Sequence, residues 1–171
     1  DPNLGYANDF ISQTGPLLSE IKAQGIKVIS NAGGINPIAC REALIKEADK
    51  QGLNFKIAIV EGDNLFHQRD DFLKKRVQDI DTNSDMPESV TSINAYLGAE
   101  PIRRALEEGA DIIITGRCVD SAVTLGPLMY EFGWKSTDYD LLAAGSLAGH
   151  IIECGAQCNG GNFTDWHLVK D

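Results

Sequence analysis

The sequence has few of the features that mark membrane-bound, secreted or nucleic-acid-binding proteins. None of its apolar runs approaches the ~18 to 20 residues that cross a bilayer. The opening residues, DPNLGYANDF, contain neither the basic nor the apolar part of a secretory signal. The formal net charge is −10, whereas nucleic-acid phosphates are bound by basic surfaces. We therefore expect no membrane and no nucleic-acid partner.

Cysteine is also scarce, with four residues among 171. Cys40 and Cys118 stand alone, while Cys154 and Cys158 form a C-x3-C pair, the spacing of neither a zinc knuckle nor a thioredoxin-type motif. So few cysteines in a chain long enough to build a core favour a reducing, intracellular setting. We expect a cytoplasmic protein without a metal site, and the sequence identifies no cofactor.

Short apolar runs rich in β-branched residues alternate with longer segments of helical periodicity. The short runs predict strands at 26–30, 55–60, 92–98 and 111–116. The longer segments predict helices at 10–23, with a break at Gly15-Pro16, and at 37–51, 66–78, 101–109, 122–133 and 139–157. Strands that are apolar throughout are typical of a parallel sheet covered on both faces. We predict one α/β domain over 1–171, Rossmann-like, with a mostly parallel sheet and helices on both faces, incomplete in this chain.

Ligands bind to parallel α/β sheets at the carboxyl ends of the strands, where this sequence collects glycine and polar residues. Asn31, Gly33 and Gly34 follow the first predicted strand in NAGG, which has the spacing of neither a dinucleotide-binding loop nor a P-loop. Their amides would let an anion approach the start of the next helix. A tight turn would favour the same glycines, so both interpretations stay open.

Two further loops carry charged residues. In GRCVDS, Arg117 offers forked donors for a carboxylate or phosphate, and Asp120 or Ser121 is placed to cap the following helix. The alternative is an Arg117–Asp120 ion pair that only stabilises the turn. After the second strand, Glu61 and Asp63 are able to ligate a divalent cation, although acidic residues in a turn more often belong to the turn itself.

The last predicted helix is apolar on nearly all sides but ends in HIIECGAQCNGGN. Residues three and four apart share a helix face, so His150, Glu153, Cys154 and Gln157 form one polar stripe. A helix this apolar is normally buried, and buried histidine and glutamate must be paired. Spacing alone favours mutual satisfaction over an acid/base pair with Cys154 as nucleophile. A zinc site through Cys154, Cys158 and a histidine is less favoured still.

Three long segments resemble the acyclic terpene utilisation family, the AtuA-like proteins: NAGGINP, GADIIITGRCVDSAVTLGPLMYEFGW and LAAGSLAGHIIECGAQCNGGNFTDW. The opening DPNLGYANDF is similar as well. The resemblance covers essentially the whole chain and indicates part of the N-terminal domain of a longer protein. It implies the degradation of citronellol- and geraniol-type compounds through acyl-CoA thioesters, and it assigns no reaction.

Two hypotheses follow. The first is a catabolic enzyme, of lyase, hydratase or hydrolase type, acting on an acyl-CoA-like or branched carboxylate substrate. Its candidate catalytic residues are Asp120, His150, Glu153 and Cys154, and its candidate substrate- or anion-binding residues are Asn31, Gly33, Gly34, Arg117, Ser121, Gln157 and Asn162. The second is a non-catalytic ligand-binding or complex-forming subunit, in which Gly145 and Gly149 provide a flat strip for a contact between copies of the chain, as in a homo-oligomer.

Overall fold

The computed structural model describes residues 4–160 and 165–168. Within them, three parallel strands form one sheet: β1 (Val28–Ser30), β2 (Ile57–Val60) and β3 (Ile112–Thr115). The order is β1-β3-β2, so the last strand in the chain lies at the centre. Ile112 of β3 is aligned with Val28 on one side and with Ile57 on the other. The prediction of a parallel sheet is confirmed.

The central strand β3 is fully buried because its side chains meet helices on both faces. Successive side chains of a strand alternate between faces. Ile113 belongs to one apolar cluster, and Ile112 and Ile114 belong to the other. The first cluster also contains Ile102, Leu106, Ala122 and Met129, and the second contains Leu18, Cys40, Leu44 and Ala48. The predicted Rossmann-like arrangement, with helices covering both faces, is confirmed.

The described residues contain seven α-helices. They are α1 (Asn8–Thr14), α2 (Leu18–Gln24), α3 (Pro37–Lys50), α4 (Arg69–Lys74), α5 (Glu100–Glu107), α6 (Ala122–Glu131) and α7 (Tyr139–Cys154). The predicted break at Gly15-Pro16 is confirmed as a 3-10 turn, Gly15–Leu17, between α1 and α2. The start of α3 is also as expected: Pro37 is its first residue, and the Asn36 side chain accepts a hydrogen bond from the Ala39 amide at 3.2 Å.

The predicted helix over 66–78 is shorter than expected. A 3-10 turn, Phe66–Gln68, leads into α4, which ends at Lys74. Two residues later, Arg76 has a φ of +50°, in the left-handed region that a helix cannot continue through. Local backbone geometry therefore ends the helix before its apolar pattern does.

The predicted strand at 92–98 is wrong. This segment is extended, but it forms only isolated bridges, Asn64 with Asn94 and Leu97 with Cys118. Its first half bonds to the loop after β2, where the Ala95 amide donates to the Asp63 carbonyl at 2.7 Å. Its second half bonds to the loop after β3. Because the partners change along the segment, no continuous ladder forms, and the segment instead joins the two loops at the carboxyl end of the sheet.

The expectation that α7 is buried is also wrong. The structure describes every residue of this helix, and only Gly145 and Gly149 are buried. The glycine strip packs inward, against α6 and the residues flanking it: a Cβ on Gly145 would lie 2.7 Å from Leu125, and one on Gly149 would lie 2.8 Å from the Ser121 carbonyl oxygen. The strip is thus used inside the chain and not between copies. The apolar residues on the other sides of α7 remain exposed, Leu147 by 60% and Ile152 by 66%. None of the helices in the described ranges is both long and apolar enough to span a bilayer.

Candidate functional site

Asp63 organises the carboxyl end of the sheet. It is only 4% exposed, and its Oδ2 accepts hydrogen bonds from the main-chain N–H of Arg117 at 2.9 Å and from the Asn94 side chain at 3.0 Å. The loop after β3 approaches so closely that a Cβ on Gly116 would lie 2.6 Å from Oδ1. The carboxylate therefore joins three segments. These bonds reach far beyond the turn that contains Asp63, so the turn interpretation does not describe its role, and Glu61, two residues before it, is exposed.

This role of Asp63 was not predicted, because hydrogen-bond partners far away in the chain cannot be recognised from local spacing. Only its position directly after a buried strand marked it as a candidate. The partners come from segments 31 and 54 positions further along the chain. A single sequence does not distinguish a carboxylate that bonds only within its turn from one that bonds to distant segments.

The NAGG loop is closely packed. A Cβ on Gly33 would lie 2.5 Å from the Thr115 carbonyl oxygen, so the loop touches the end of β3, and Gly34 has a φ of +53°. The amides at positions 34, 35 and 36 donate to main-chain carbonyl groups at 2.8–3.3 Å, and Asn31 is exposed. These bonds favour the tight-turn interpretation of the glycines. The anion-binding role stays a prediction.

Arg117 and Asp120 lie exposed in the loop between β3 and α6. Within the described residues no ion pair joins them. The Arg117 guanidinium lies over the ring of Tyr96 instead, 5.7 Å from its centroid. Ser121 occupies the capping position of α6, but its side chain is buried and makes no capping hydrogen bond. Neither the stabilising ion pair nor the cap is formed, so both charged side chains remain accessible to a ligand.

The polar stripe on α7 brings three of the predicted residues together. The Cys154 thiol donates to Oε1 of Glu153 at 2.8 Å, and Nδ1 of His150 lies 3.4 Å from the same oxygen. The sulfur is 3.9 Å from each ring nitrogen of His150. The helical spacing therefore produced the expected cluster. It is a surface cluster, because the His150 side chain is 64% exposed and that of Glu153 is 28% exposed.

The protonation of Cys154 follows from this contact. The hydrogen bond to Glu153, together with desolvation and the charge of the same carboxylate, raises the pKa of the thiol to about 12. Thiolate, not thiol, is the nucleophilic form of cysteine. At neutral pH Cys154 is therefore a hydrogen-bond donor, which argues against the nucleophilic role and leaves His150 and Glu153 as the acid/base candidates.

The chain beyond Cys154 forms a 3-10 turn, Gly155–Asn159. Gln157 lies exposed in this turn. The Cys158 thiol donates to the Ile151 carbonyl at 3.5 Å, which also accepts the main-chain N–H of Gly155, and it lies 3.9 Å from the His150 carbonyl. Cys158 thus packs against the last turn of α7, and the helix ends at Gly155, whose φ is +52°. Asn162, also a predicted binding residue, lies outside the described residues.

The cluster lies at the same end of the sheet as the loop after β3. The link is Gly149, where an added Cβ would lie only 2.8–3.0 Å from the backbone of Ser121, the residue before α6. His150 follows directly, and Glu153 lies one turn further along α7. In the described part of the chain no hydrogen bond or ion pair joins Glu153 to Arg117 or Asp120. Within the described residues, the Gly149–Ser121 contact therefore connects α7 to this loop.

The fold and this arrangement define a Rossmann-like α/β protein with polar side chains gathered at the carboxyl end of its sheet. Residues 1–171 match the model of the acyclic terpene utilisation family protein AtuA. The chain therefore belongs to this family, which supports a role in acyclic terpene utilisation. Neither a curated protein nor a solved structure matches it significantly.

Proposed function

We propose that the protein is a cytoplasmic catabolic enzyme of acyclic terpene utilisation that acts on a small acyl-CoA-like or branched carboxylate substrate. One observation carries this proposal: the His150, Glu153 and Cys154 side chains form an exposed cluster on α7, directly after Gly149, which packs against the end of the loop that carries Arg117. An exposed cluster contributes little to the core, and polar residues at the carboxyl ends of parallel strands are where such folds bind substrates.

The chemistry of the cluster suits proton transfer. Histidine and glutamate are side chains that enzymes use as general acids and bases. Arg117 would hold a carboxylate or phosphate of the substrate, and Asp120 is a second acid/base candidate in the same loop. Because the Cys154 thiol is held in its protonated form, a hydratase or lyase is favoured over a hydrolase with a cysteine nucleophile.

The test is growth on an acyclic terpene as sole carbon source, in a strain that lacks the protein and is complemented with variants. Glu153→Gln and Arg117→Ala are each expected to abolish growth while the purified variants keep the circular dichroism spectrum of the unchanged protein. Asp140→Asn, at the other end of α7, and Arg104→Ala, an exposed arginine on α5, are matched controls that should complement fully. Full growth with both site variants would show that the site is assigned wrongly.

A second candidate function is a complex-forming subunit, and the exposed side of α7 supports it. Leu147, Ile151 and Ile152 are between 50% and 66% exposed on this one helix, an unusual number of large apolar side chains. Leu147→Ser combined with Ile151→Ser should lower the sedimentation coefficient if copies of the chain meet on this face. Leu17→Ser, at a residue 51% exposed elsewhere, is the control. An unchanged sedimentation coefficient in the double variant removes this candidate.

A further inference from the structure

Three potential metal ligands of different chemistry meet at the end of α7. His150, Glu153 and Cys154 each offer one ligand atom, and these atoms all lie within 4.8 Å of one another. Among the described residues, they form the one group of three potential metal ligands that lie this close together. Their positions, i, i+3 and i+4, place them on one helix face, as in helical zinc motifs whose two histidines are four residues apart.

The distances agree with the size of a zinc coordination sphere. Zinc binds nitrogen and oxygen at about 2.0–2.2 Å and sulfur at about 2.3 Å, so ligand atoms around a tetrahedral ion lie roughly 3.3–3.6 Å apart. Here the nitrogen and oxygen are 3.4 Å apart, and the nitrogen and sulfur are 3.9 Å apart. The sulfur and oxygen, at 2.8 Å, are closer, because the thiol proton bonds them. Replacing that proton by a cation would let the two atoms separate by about 0.7 Å, a small rotation of two side chains on the surface.

Cys158 lies close to this cluster but is not one of its three ligand residues. Cys158 is the only other thiol close to the cluster within the described residues, and it is engaged with the carbonyl groups that end α7. The other two cysteines, Cys40 and Cys118, are buried in the two cores. An ion held by the three side chains would therefore keep an open position toward solvent. Three protein ligands with an open position are the pattern of catalytic zinc sites, whereas structural sites are closed by four.

We propose that His150, Glu153 and Cys154 form a binding site for a borderline-soft divalent cation of the Zn²⁺ class, with one coordination position open to water or substrate. Imidazole, thiolate and carboxylate together suit Zn²⁺ better than Mg²⁺ or Ca²⁺, which require oxygen ligands. This inference goes beyond the acid/base role proposed above, since the same side chains would serve as ligands. Gly149, the residue before His150, packs against Ser121, which follows the loop that carries Arg117 and Asp120.

The test is metal binding by the intact purified protein after removal of metals with a chelator. Zn²⁺ is titrated against a chromophoric competitor, and Co²⁺ is added separately as a spectroscopic probe. One equivalent of Zn²⁺ is expected to bind, and Co²⁺ should give a thiolate charge-transfer band in the near ultraviolet together with visible bands of a low-coordinate ion. Cys154→Ser should abolish the charge-transfer band, and His150→Ala should weaken Zn²⁺ binding more than about 100-fold, because even loss of a residue that only supports a ligand costs about 10–100-fold.

Two matched variants control for these losses. Cys158→Ser repeats the cysteine change four residues further on, and His67→Ala removes an exposed histidine on another part of the surface. Both should bind Zn²⁺ like the unchanged protein. Absence of one-equivalent binding, or a loss in Cys158→Ser as large as that in Cys154→Ser, would overturn the three-ligand site.

The readout separates this proposal from the proposed function. If no metal binds but Glu153→Gln still abolishes growth, the metal site fails and the catalytic assignment stands. If Zn²⁺ binds through the three side chains but Glu153→Gln and Arg117→Ala both complement growth, the metal site stands and the catalytic assignment fails.

Discussion

Two carboxylates close to the carboxyl end of the sheet, Asp63 and Glu153, are used in opposite ways. Asp63 is buried, and its partners are donors from two segments far away in sequence. Glu153 is on the surface, and its partners His150 and Cys154 belong to its own helix. Buried hydrogen bonds to distant segments stabilise the fold. Exposed hydrogen bonds within one helix can be replaced by bonds to a ligand without disturbing the fold.

The largest expected effect of a single change on stability is that of Asp63→Ala. The substitution leaves the Arg117 amide and the Asn94 side chain without their acceptor in a buried place. We expect the free energy of unfolding to fall by about 2–3 kcal/mol. Urea denaturation followed by circular dichroism measures it. Asp63→Asn, which keeps one acceptor oxygen, should lose less, and a loss below about 1 kcal/mol in the alanine variant would contradict the role given to Asp63.

Gly149→Ala should cause the second largest loss in the free energy of unfolding. The new methyl group would meet the Ser121 backbone at 2.8–3.0 Å, and a backbone cannot move aside as a side chain can. Overpacking of this kind costs about 1–3 kcal/mol, partly offset by the better helix propensity of alanine, so a net loss of about 1–2 kcal/mol is expected. Leu147→Ala, on the exposed side of the same helix, is the control. Equal stability of the two variants would mean that α7 does not depend on the glycine contact.

Asp111, at the opposite end of β3, is a half-buried carboxylate whose contribution to stability can be compared with that of Asp63. Desolvation would raise its pKa, but hydrogen bonds from the Lys56 amide and from the side chains of Lys27 and Lys22 outweigh it and lower the pKa from 3.8 to about 2. A lowered folded-state pKa means that the carboxylate stabilises the fold above about pH 4 and that this contribution is lost as the pH falls toward about 2.

Asp111→Asn should therefore be less stable than the unchanged protein by about 1 kcal/mol at pH 7, a value reduced for the solvent exposure of the lysines. Urea denaturation of both proteins at pH 7 and at the lowest pH where they stay folded gives the comparison. The stability difference should shrink as the pH falls below about 4. A difference that stays constant would show that the lysine contacts do not depend on the charge of Asp111.

The smallest expected change is that of Glu153→Gln, which completes the comparison with Asp63. The free energy of unfolding should stay within about 0.5 kcal/mol of the unchanged protein, as for surface substitutions that disturb no buried contact. The measurement is the same urea denaturation at pH 7. A loss as large as that of Asp63→Ala would mean that Glu153 stabilises the fold. The interpretation of the cluster as a functional site would then be wrong.

Patterns that depend on neighbours in sequence were predicted well. The apolar β-branched run at β3 identified the central strand, and the spacing of His150, Glu153 and Cys154 identified the cluster, because both periods follow from the geometry of a single element. The segment 92–98 was mistaken for a strand. It has the apolar content of one, and only its hydrogen-bond partners, which change halfway along, distinguish it from a strand.

The burial of α7 was mispredicted for a related reason. Apolar residues on all sides of a helix indicate that it can be buried, but they do not identify which side packs against the rest of the chain. Here the glycine strip determines the side that is covered, because only there can α6 approach. Leu147 and Ile152 are as apolar as core residues and still lie on the surface.

The contact between Gly149 and Ser121 fixes the cluster by backbone alone. On the same side of α7, Leu142 packs against the core beside this contact, so the glycine side and not the exposed side sets the position of the helix. Substitutions at Leu147, Ile151 or Ile152 would change the surface around the cluster without shifting His150 and Glu153. The exposed side of α7 can therefore vary in sequence while the positions of His150 and Glu153 stay the same.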